Sequence, residues 1–147
     1  MKKYLVIGNP IEHSLSPKLH NYWLKKNNID AVYNKKKINE DEIKKIISDL
    51  RNGKIDGINV TVPFKRSVIP LIDELSFEAK EAQSVNTIYK ENNKVLGHNT
   101  DISGFELAVR RKGYDIKNKN VFILGAGGVV SSLIIALRKM GAAKIVL

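Results

Sequence analysis

Lys65 and Asp101 are the lysine and the carboxylate best placed for acid–base chemistry in this sequence. Lys65 ends the segment Asn59-Val60-Thr61-Val62-Pro63-Phe64-Lys65, and Asp101 ends Asn99-Thr100-Asp101. Both segments lie in loops or at strand ends, where function is more common than packing. An ammonium group beside a ketone donates a proton as hydride arrives, and a neighbouring carboxylate orients it and exchanges protons with the hydroxyl. Lys65 and Asp101 are therefore our candidates for general acid–base catalysis.

Neutral hydrogen-bonding side chains cluster in the same kinds of segment. They are Ser14, Ser16, Asn59, Thr61, Asn86 and Thr100. Such groups suit a ligand with several hydroxyls, because a site built to pair an OH rejects an analogue lacking it by about 10⁴-fold or more. Asn59 and Thr61 are two residues apart in a predicted strand, so they face the same side. The pattern indicates a polyol-binding pocket.

Each of these residues also has a purely structural interpretation. The two serines suit helix caps, and asparagine and threonine occur in ordinary strands. Asp101 has the spacing of an N-cap for the helix that follows it. Lys65 belongs to a chain with a net charge of +10, in which many lysines face water. The spacing alone leaves both interpretations open.

A glycine turn, Gly125-Ala126-Gly127-Gly128, joins a predicted strand to a predicted helix. Glycines let the backbone approach a pyrophosphate, and the helix N-terminus offers unpaired N–H groups, so this order is typical of dinucleotide binding. Val130 occupies the third small-residue position of the usual pattern, and a tight turn without a ligand is the alternative. The residue that distinguishes NAD from NADP falls at or past Leu147, about 20 residues beyond the glycines.

Strands alternate with helices along the chain, which predicts an α/β fold with a mostly parallel sheet covered on both faces. The predicted strands are 4–7, 31–33, 55–62, 85–89, 94–98, 121–124 and a last one from 144. A short helix is expected after residue 65, another over 76–82, and one begins at Asp101 or Ser103 and carries 105–109. The helix after the glycine turn ends at Gly141.

Two further helices have clear start signals. Ser16 is the predicted cap of the first, with Pro17 in its first turn and an inward stripe of Leu19, Tyr22 and Trp23. Asn39 and Glu42 have capping-box spacing, and apolar side chains at helical intervals follow. Those side chains are Ile43, Ile46, Ile47 and Leu50.

Composition restricts the function classes. The 147 residues include no cysteine, and the three histidines share no ligand spacing, so no metal site is expected. No apolar run approaches a membrane span and the N-terminus lacks a signal peptide, which predicts a cytoplasmic protein without a membrane partner. The lysines are scattered and lack interleaved aromatic residues, so nucleic-acid binding is disfavoured despite the charge.

Five motifs together resemble the shikimate dehydrogenase family in order and spacing, over nearly the whole chain. The first, second and third are Gly8-Asn9-Pro10-Ile11-Glu12-His13-Ser14-Leu15-Ser16-Pro17 with His20-Asn21, Asn59-Val60-Thr61-Val62-Pro63-Phe64-Lys65, and Val85-Asn86-Thr87. The fourth and fifth are Gly97-His98-Asn99-Thr100-Asp101 and Gly125-Ala126-Gly127-Gly128. One glycine motif would mean little, whereas agreement of all five argues against chance.

The resemblance implies a fold, an activity and roles for residues. Residues 1–100 would form a three-layer α/β substrate-binding and catalytic domain, and 101–147 the first β-α-β portion of a Rossmann-type NADP-binding domain. The family reduces 3-dehydroshikimate to shikimate with NADPH, as a monomer or homodimer. Lys65 and Asp101 would be the catalytic pair. The implied substrate contacts are Ser14, Ser16, Asn59, Thr61, Lys65, Asn86 and Asp101, and the implied pyrophosphate turn is Gly125, Ala126, Gly127 and Gly128.

Departures from the family pattern leave alternatives. Ile102 stands where the family usually has glycine, and Ala82-Gln83-Ser84 replaces a glycine-containing segment. Family members continue for roughly another hundred residues, so we expect a truncated chain that binds shikimate weakly and turns over poorly or not at all. A quinate or quinate/shikimate dehydrogenase using NAD, and a non-catalytic module that binds polyol acids, are the competing hypotheses.

Overall fold

The computed structural model describes residues 1–147 and contains a six-stranded mixed sheet. Its strands are β1 (Lys2–Gly8), β2 (Ala31–Lys37), β3 (Gly57–Val60), β4 (Glu74–Leu75), β5 (Thr87–Glu91) and β6 (Lys94–His98). They lie in the order β2-β1-β3-β5-β6-β4. Three of the five neighbouring pairs are parallel. The predicted α/β class with a mostly parallel sheet is confirmed.

Helices connect some of these strands, and a short β-α-β unit follows them. The helices are α1 (Ser16–Lys26), α2 (Ile43–Arg51), α3 (Phe77–Ala82), α4 (Asp101–Arg111) and α5 (Val130–Lys139). The parallel strands β7 (Asn120–Phe122) and β8 (Lys144–Val146) flank α5. The predicted helix after residue 65 is instead a run of turns ending in the 3₁₀ turn Ile69–Leu71. No helix combines the length and apolar character needed to span a membrane.

Side chains alternate across the sheet, and the two faces have different roles. Ile7, Ile58 and Val60 face α2, whose Ile46 and Leu50 are at most 1% exposed, and together they form the main core. Burying each such side chain is worth about 1.5–3 kcal/mol. The predicted capping-box contact is present, with the Asn39 N–H donating to Glu42 Oε2 at 2.8 Å.

The opposite face carries Val6, Tyr33 and Asn59 and is covered by α1 only in part. Two predictions about α1 are wrong. Its predicted inward stripe is exposed, with Leu19, Tyr22 and Trp23 at 47%, 60% and 47% exposure. The helix contacts the edge strand β2 through other residues, among them His20 and Asn21. Ser16 is also not the cap.

The start of α1 shows why Ser16 does not cap it. Ser16 is the first helical residue, preceded by Leu15, and its hydroxyl caps none of the helix's N–H groups. Ser14 Oγ accepts the Ser16 N–H at 3.3 Å, so the serine two residues earlier satisfies one of the free donors. Pro17 lies in the first turn, as predicted. The hydroxyl of Ser16 is therefore not used in capping α1.

A small apolar cluster joins the β-α-β unit to the main sheet domain. Ala82 of α3, Ile102 of α4 and Ala136 of α5 are each at most 2% exposed and pack together. Ile102, which replaces the usual glycine, is helical and belongs to this cluster. A division of the chain at residue 100 stays a prediction.

Candidate active site

The ammonium of Lys65 and the carboxylate of Asp101 form an ion pair, with Nζ 2.7 Å from Oδ2. Lys65 lies in the turns after β3, where its carbonyl accepts the Val85 N–H at 2.9 Å. Asp101 is the first residue of α4. The two side chains are 14% and 22% exposed, so the pair is shielded from bulk water yet reachable. An ammonium group placed in this way can act as a general acid toward a ligand atom within hydrogen-bond reach.

Asn99 explains why the carboxylate of Asp101 is available. Its Oδ1 accepts the backbone N–H groups of Asp101 at 3.0 Å and Ile102 at 3.3 Å, which is the contact of an N-cap side chain. Asn99 is fully buried and also donates to Ser132 Oγ of α5 at 2.9 Å. The alternative in which Asp101 or Ser103 caps the helix is wrong, because Thr100 occupies the N-cap position and the side-chain acceptor is that of Asn99.

Asn86 occupies the other side of the Asp101 carboxylate. Its Nδ2 donates to Asp101 Oδ1 at 2.9 Å, so each carboxylate oxygen accepts from a different side chain. Its Oδ1 accepts the Thr100 N–H at 3.0 Å. Since a backbone N–H can only donate, that contact determines which end of the Asn86 amide faces Asp101.

Asn59 and Thr87 lie opposite each other on β3 and β5. Asn59 Nδ2 donates to the Asn86 carbonyl at 3.2 Å and to Thr87 Oγ1 at 3.1 Å. Its Oδ1 accepts from the Tyr33 hydroxyl at 2.7 Å. Both amide hydrogens of Asn59 are therefore used within the protein, and a ligand has access only to the remaining acceptor capacity of Oδ1.

The serines of the first motif lie in a separate concavity of about 260 Å³. Ser14, Ser16 and Thr61 line it together with His13. Gly8 lies directly beside it, since a Cβ there would be 2.5 Å from Thr61 Cγ2 and 3.1 Å from the Val62 carbonyl oxygen. Glycine is therefore needed for the close approach of β1 to the chain after β3.

A cleft of about 440 Å³ separates Lys65 from the glycine turn. Lys65 and Arg66 line one side, and Gly127, Gly128 and Ser131 line the other. Gly125 has a φ of +108°, a conformation in which glycine is strongly favoured. The turn leads into α5, whose first N–H groups are partners for an anion. The cleft thus brings an ammonium group close to a potential phosphate-binding turn.

Comparison with known proteins adds an independent observation. The family model described as the shikimate dehydrogenase substrate binding domain matches residues 6–88, which is more than half of the chain. The chain belongs to the shikimate dehydrogenase family. It is 58% identical over 146 residues to the shikimate dehydrogenase (NADP(+)) of Pelagibacter ubique, covering 99% of this chain and 55% of that relative. The relative from Aquifex aeolicus is 44% identical over 139 residues, covering 95% and 52%.

Solved shikimate dehydrogenases have the same fold. The Aquifex aeolicus structure superposes with a TM-score of 0.93 at 42% identity, over 99% of this chain and 55% of that one. The Thermus thermophilus enzyme in complex with NADP(H) and shikimate superposes with a TM-score of 0.91 at 30% identity, over 99% and 55%. This chain spans about half the length of the curated shikimate dehydrogenases it matches.

Within this shikimate dehydrogenase fold, the residues predicted from sequence fall into three neighbouring groups. The first group holds Lys65, Asp101, Asn86 and Asn59, joined by side-chain and backbone hydrogen bonds with Thr87 and Thr100. The second group holds Ser14, Ser16 and Thr61 around the smaller concavity. The third group is the glycine turn across the cleft, where Ala126, Gly127 and Gly128 line the wall and Gly125 precedes them.

Sequence reasoning missed four contributors to this family site. Thr87 and Asn99 lie in motifs of the family resemblance but have no role predicted from sequence, and Tyr33 is predicted only as a strand residue. Ser132 of α5, fully buried against Asn99, carried no sequence signal because a serine in a helix usually faces solvent. Tyr33 and Thr87 are residues with polar groups inside predicted strands, and that placement is the signal that could have identified them.

Proposed function

We propose that this chain provides the substrate-binding and acid–base portion of an NADP-dependent shikimate dehydrogenase that reduces 3-dehydroshikimate to shikimate. The observation that carries the proposal is the 2.7 Å contact between Lys65 Nζ and Asp101 Oδ2 at the edge of the cleft. The names of the relatives, shikimate dehydrogenase (NADP(+)), support the choice of substrate and cofactor.

The acid–base step uses the ion pair. Lys65 donates a proton from Nζ to the ketone oxygen of 3-dehydroshikimate as that oxygen becomes an alkoxide. Asp101 holds the ammonium in place through Oδ2 and accepts a hydrogen bond from a hydroxyl of the bound acid. Such general acid help is typically worth about 10²–10⁴ in rate. Ser14, Ser16 and Thr61 supply hydroxyls for the carboxylate and hydroxyl groups of the substrate.

The glycine turn fits a dinucleotide. A Cβ built on Gly127 or Gly128 would meet nothing within 4 Å, so the backbone there is open to a pyrophosphate. Gly125, Ala126, Gly127, Gly128 and the first N–H groups of α5 would hold it. When bound, NADPH supplies the hydride. Arg66, which lines the same cleft and forms no ion pair in this structure, adds positive charge on the opposite wall.

Substrate binding can be tested on the 147-residue chain itself. We expect shikimate to bind in isothermal titration calorimetry, and Lys65→Ala to reduce its affinity only modestly because the serines and Thr61 remain. Lys45→Ala is a matched control, since Lys45 is an exposed lysine of α2 on the opposite side of the main core. Absence of heat with shikimate, together with binding of quinate, would favour the quinate hypothesis.

A turnover assay needs a complete cofactor-binding domain. Residues 1–147 joined to the remaining part of the Pelagibacter ubique relative should oxidise shikimate with NADP, measured by NADPH absorbance. We expect Lys65→Ala to lower kcat in this chimera by about 10²–10⁴ and Lys45→Ala to leave it unchanged. Retained kcat in Lys65→Ala would show that Lys65 is not the general acid, whereas shikimate binding without any turnover of the chimera would favour the non-catalytic binding module. Preference for NAD or quinate would support the alternative dehydrogenase.

A further inference from the structure

We propose that Tyr33 is a positioning residue that orients the Asp101 carboxylate through a directional chain of hydrogen bonds. This inference rests on the proposed function of Asp101. Tyr33 lies on β2, is 4% exposed, and lines neither the cleft nor the concavity. Its role must therefore be exerted through other side chains.

The chain begins at the Tyr33 phenol. Its O–H donates to Asn59 Oδ1 at 2.7 Å, and Asn59 Nδ2 donates to Thr87 Oγ1 at 3.1 Å. Asn59 Nδ2 also donates to the Asn86 carbonyl, which can only accept. The amide of Asn59 therefore has one orientation, with its oxygen toward Tyr33.

The chain continues to the carboxylate. The Thr87 hydroxyl accepts from Asn59, so its own proton is free to donate to Asn86 Oδ1, 3.0 Å away. Asn86 Nδ2 then donates to Asp101 Oδ1 at 2.9 Å. Every link has its donor on the Tyr33 side and its acceptor on the Asp101 side. Hydrogen bonds aligned in this way polarise and strengthen one another.

Two consecutive residues of α1 hold Tyr33 in place. Asn21 brackets the Tyr33 backbone, donating from Nδ2 to its carbonyl at 2.7 Å and accepting its N–H at 2.9 Å. The His20 ring stacks on the Tyr33 ring with centroids 4.2 Å apart and planes 5° apart. The His20-Asn21 motif, which had no role in the site, is thus accounted for as the clamp of Tyr33.

The protonation states suit this arrangement. Burial raises the pKa of Tyr33 to about 12, and hydrogen bonding with Ser16 opposes that rise. Burial also lowers the pKa of His20 below its ordinary value. Near neutral pH the phenol therefore keeps the proton that it donates, and the stacked imidazole is uncharged.

Tyr33→Phe removes only the hydroxyl and keeps the stacked ring. In the 147-residue chain we expect the dissociation constant for shikimate to rise by about two- to tenfold, the range for losing one hydrogen bond. We also expect the side-chain amide signals of Asn59 and Asn86 to shift in ¹H–¹⁵N NMR spectra. Tyr4→Phe is the matched control, because Tyr4 packs against the same cluster but lies outside the hydrogen-bond chain.

A double-mutant cycle separates this role from a general structural one. Thr87→Val breaks the chain in the middle, so Tyr33→Phe should have no further effect on shikimate binding in that background. Additive effects, or an unchanged Asn86 signal in Tyr33→Phe, would overturn the proposal and favour action through Ser16 or packing alone. The Asn86 signal tests the hydrogen-bond chain independently of shikimate binding. Failure of the wild-type chain to bind shikimate would count against the proposed function and not against this hydrogen-bond chain.

Discussion

Asp101 keeps its carboxylate for chemistry because another residue performs the structural work at the start of α4. Aspartate before a helix is a favoured N-cap residue, so its position alone does not mark it as a catalytic group. Here Asn99 accepts the free N–H groups and the carboxylate contacts Lys65 and Asn86. The site therefore depends on two residues with different roles. The buried amide of Asn99 accepts the helix N–H groups, and the partly exposed carboxylate of Asp101 contacts the other site residues.

Asn99→Ala should destabilise the protein far more than the removal of one small side chain suggests. The change removes the cap of α4 and leaves the Ser84 carbonyl and Ser132 Oγ without their donor inside the protein. We expect the free energy of unfolding to fall by about 2–3 kcal/mol, measured by urea titration. Asn52→Ala, at an exposed asparagine after α2, is the control and should change it by less than about 0.5 kcal/mol. Equal effects of the two changes would contradict this account of Asn99.

At the scale of elements, the end of α3 is under local strain. Gln83 follows the helix with φ 48° and ψ 43°, in the left-handed region that side chains other than glycine adopt reluctantly. The family usually has a glycine in this segment, and glycine adopts a positive φ without strain. Gln83 Nε2 donates to the Lys80 carbonyl at 2.7 Å and so offsets part of the strain.

A pair of variants at position 83 isolates that strain. Gln83→Gly and Gln83→Ala both lose the hydrogen bond to Lys80, and they differ mainly in tolerance of a positive φ. We expect Gln83→Gly to unfold at a higher urea concentration, corresponding to a stability about 1 kcal/mol above that of Gln83→Ala. If the alanine variant were equally stable, the turn would not require a left-handed residue.

The end of α2 is tied to the start of β4 by Arg51 and Asp73. The Arg51 guanidinium, followed by the Val95 N–H, lowers the pKa of Asp73 to about 2. A carboxylate whose pKa is lower in the folded state contributes stability above its unfolded pKa, near 4, and this is lost as pH falls through the folded value.

We therefore expect the stability difference between wild type and Asp73→Asn to be constant near neutral pH and to shrink between about pH 4 and pH 2. Thermal unfolding of the two proteins across that range measures it. Asp115→Asn provides the comparison, because Asp115 is exposed and forms no ion pair. A difference that persists undiminished at pH 2 would show that the carboxylate charge is not what Asp73 contributes.

At the scale of the whole molecule, burial is concentrated in the main sheet. Val6 and Ile7 of β1 and Ile58 and Val60 of β3 are at most 3% exposed. No residue of β7 or β8 is buried, and Phe122 is 68% exposed. The unit that presents the glycine turn is attached mainly through α4, α5 and the contact of Asn99 with Ser132.

Hydrogen exchange should show this difference directly. We expect the backbone amides of β7 and β8 to exchange faster than those of β1 and β3, by on the order of tenfold or more, because local opening there exposes little apolar surface. Mass spectrometry of peptides covering the two regions of the 147-residue chain measures the rates. Equal protection would mean that both units unfold together.

The sequence by itself determined the family and the order of elements, apart from the short strand β4 and the helix expected after residue 65. Helical spacing placed α2 and its buried stripe, and five motifs identified the chain as a shikimate dehydrogenase relative. It also supplied Lys65 and Asp101 as candidates, since few residues combine such chemistry with a strand-end position. These signals are local, because propensity, capping and turn chemistry act within a few neighbouring residues.

Only the tertiary structure decided which polar groups meet. Lys65 and Asp101 are 36 positions apart, and Tyr33 and Asn59 are 26 apart, so their contacts depend on strand order and register. The same holds for the exposed stripe of α1, which local periodicity predicted to be buried. Periodicity shows that a helix has an apolar face, but whether another element covers that face depends on where the sheet ends.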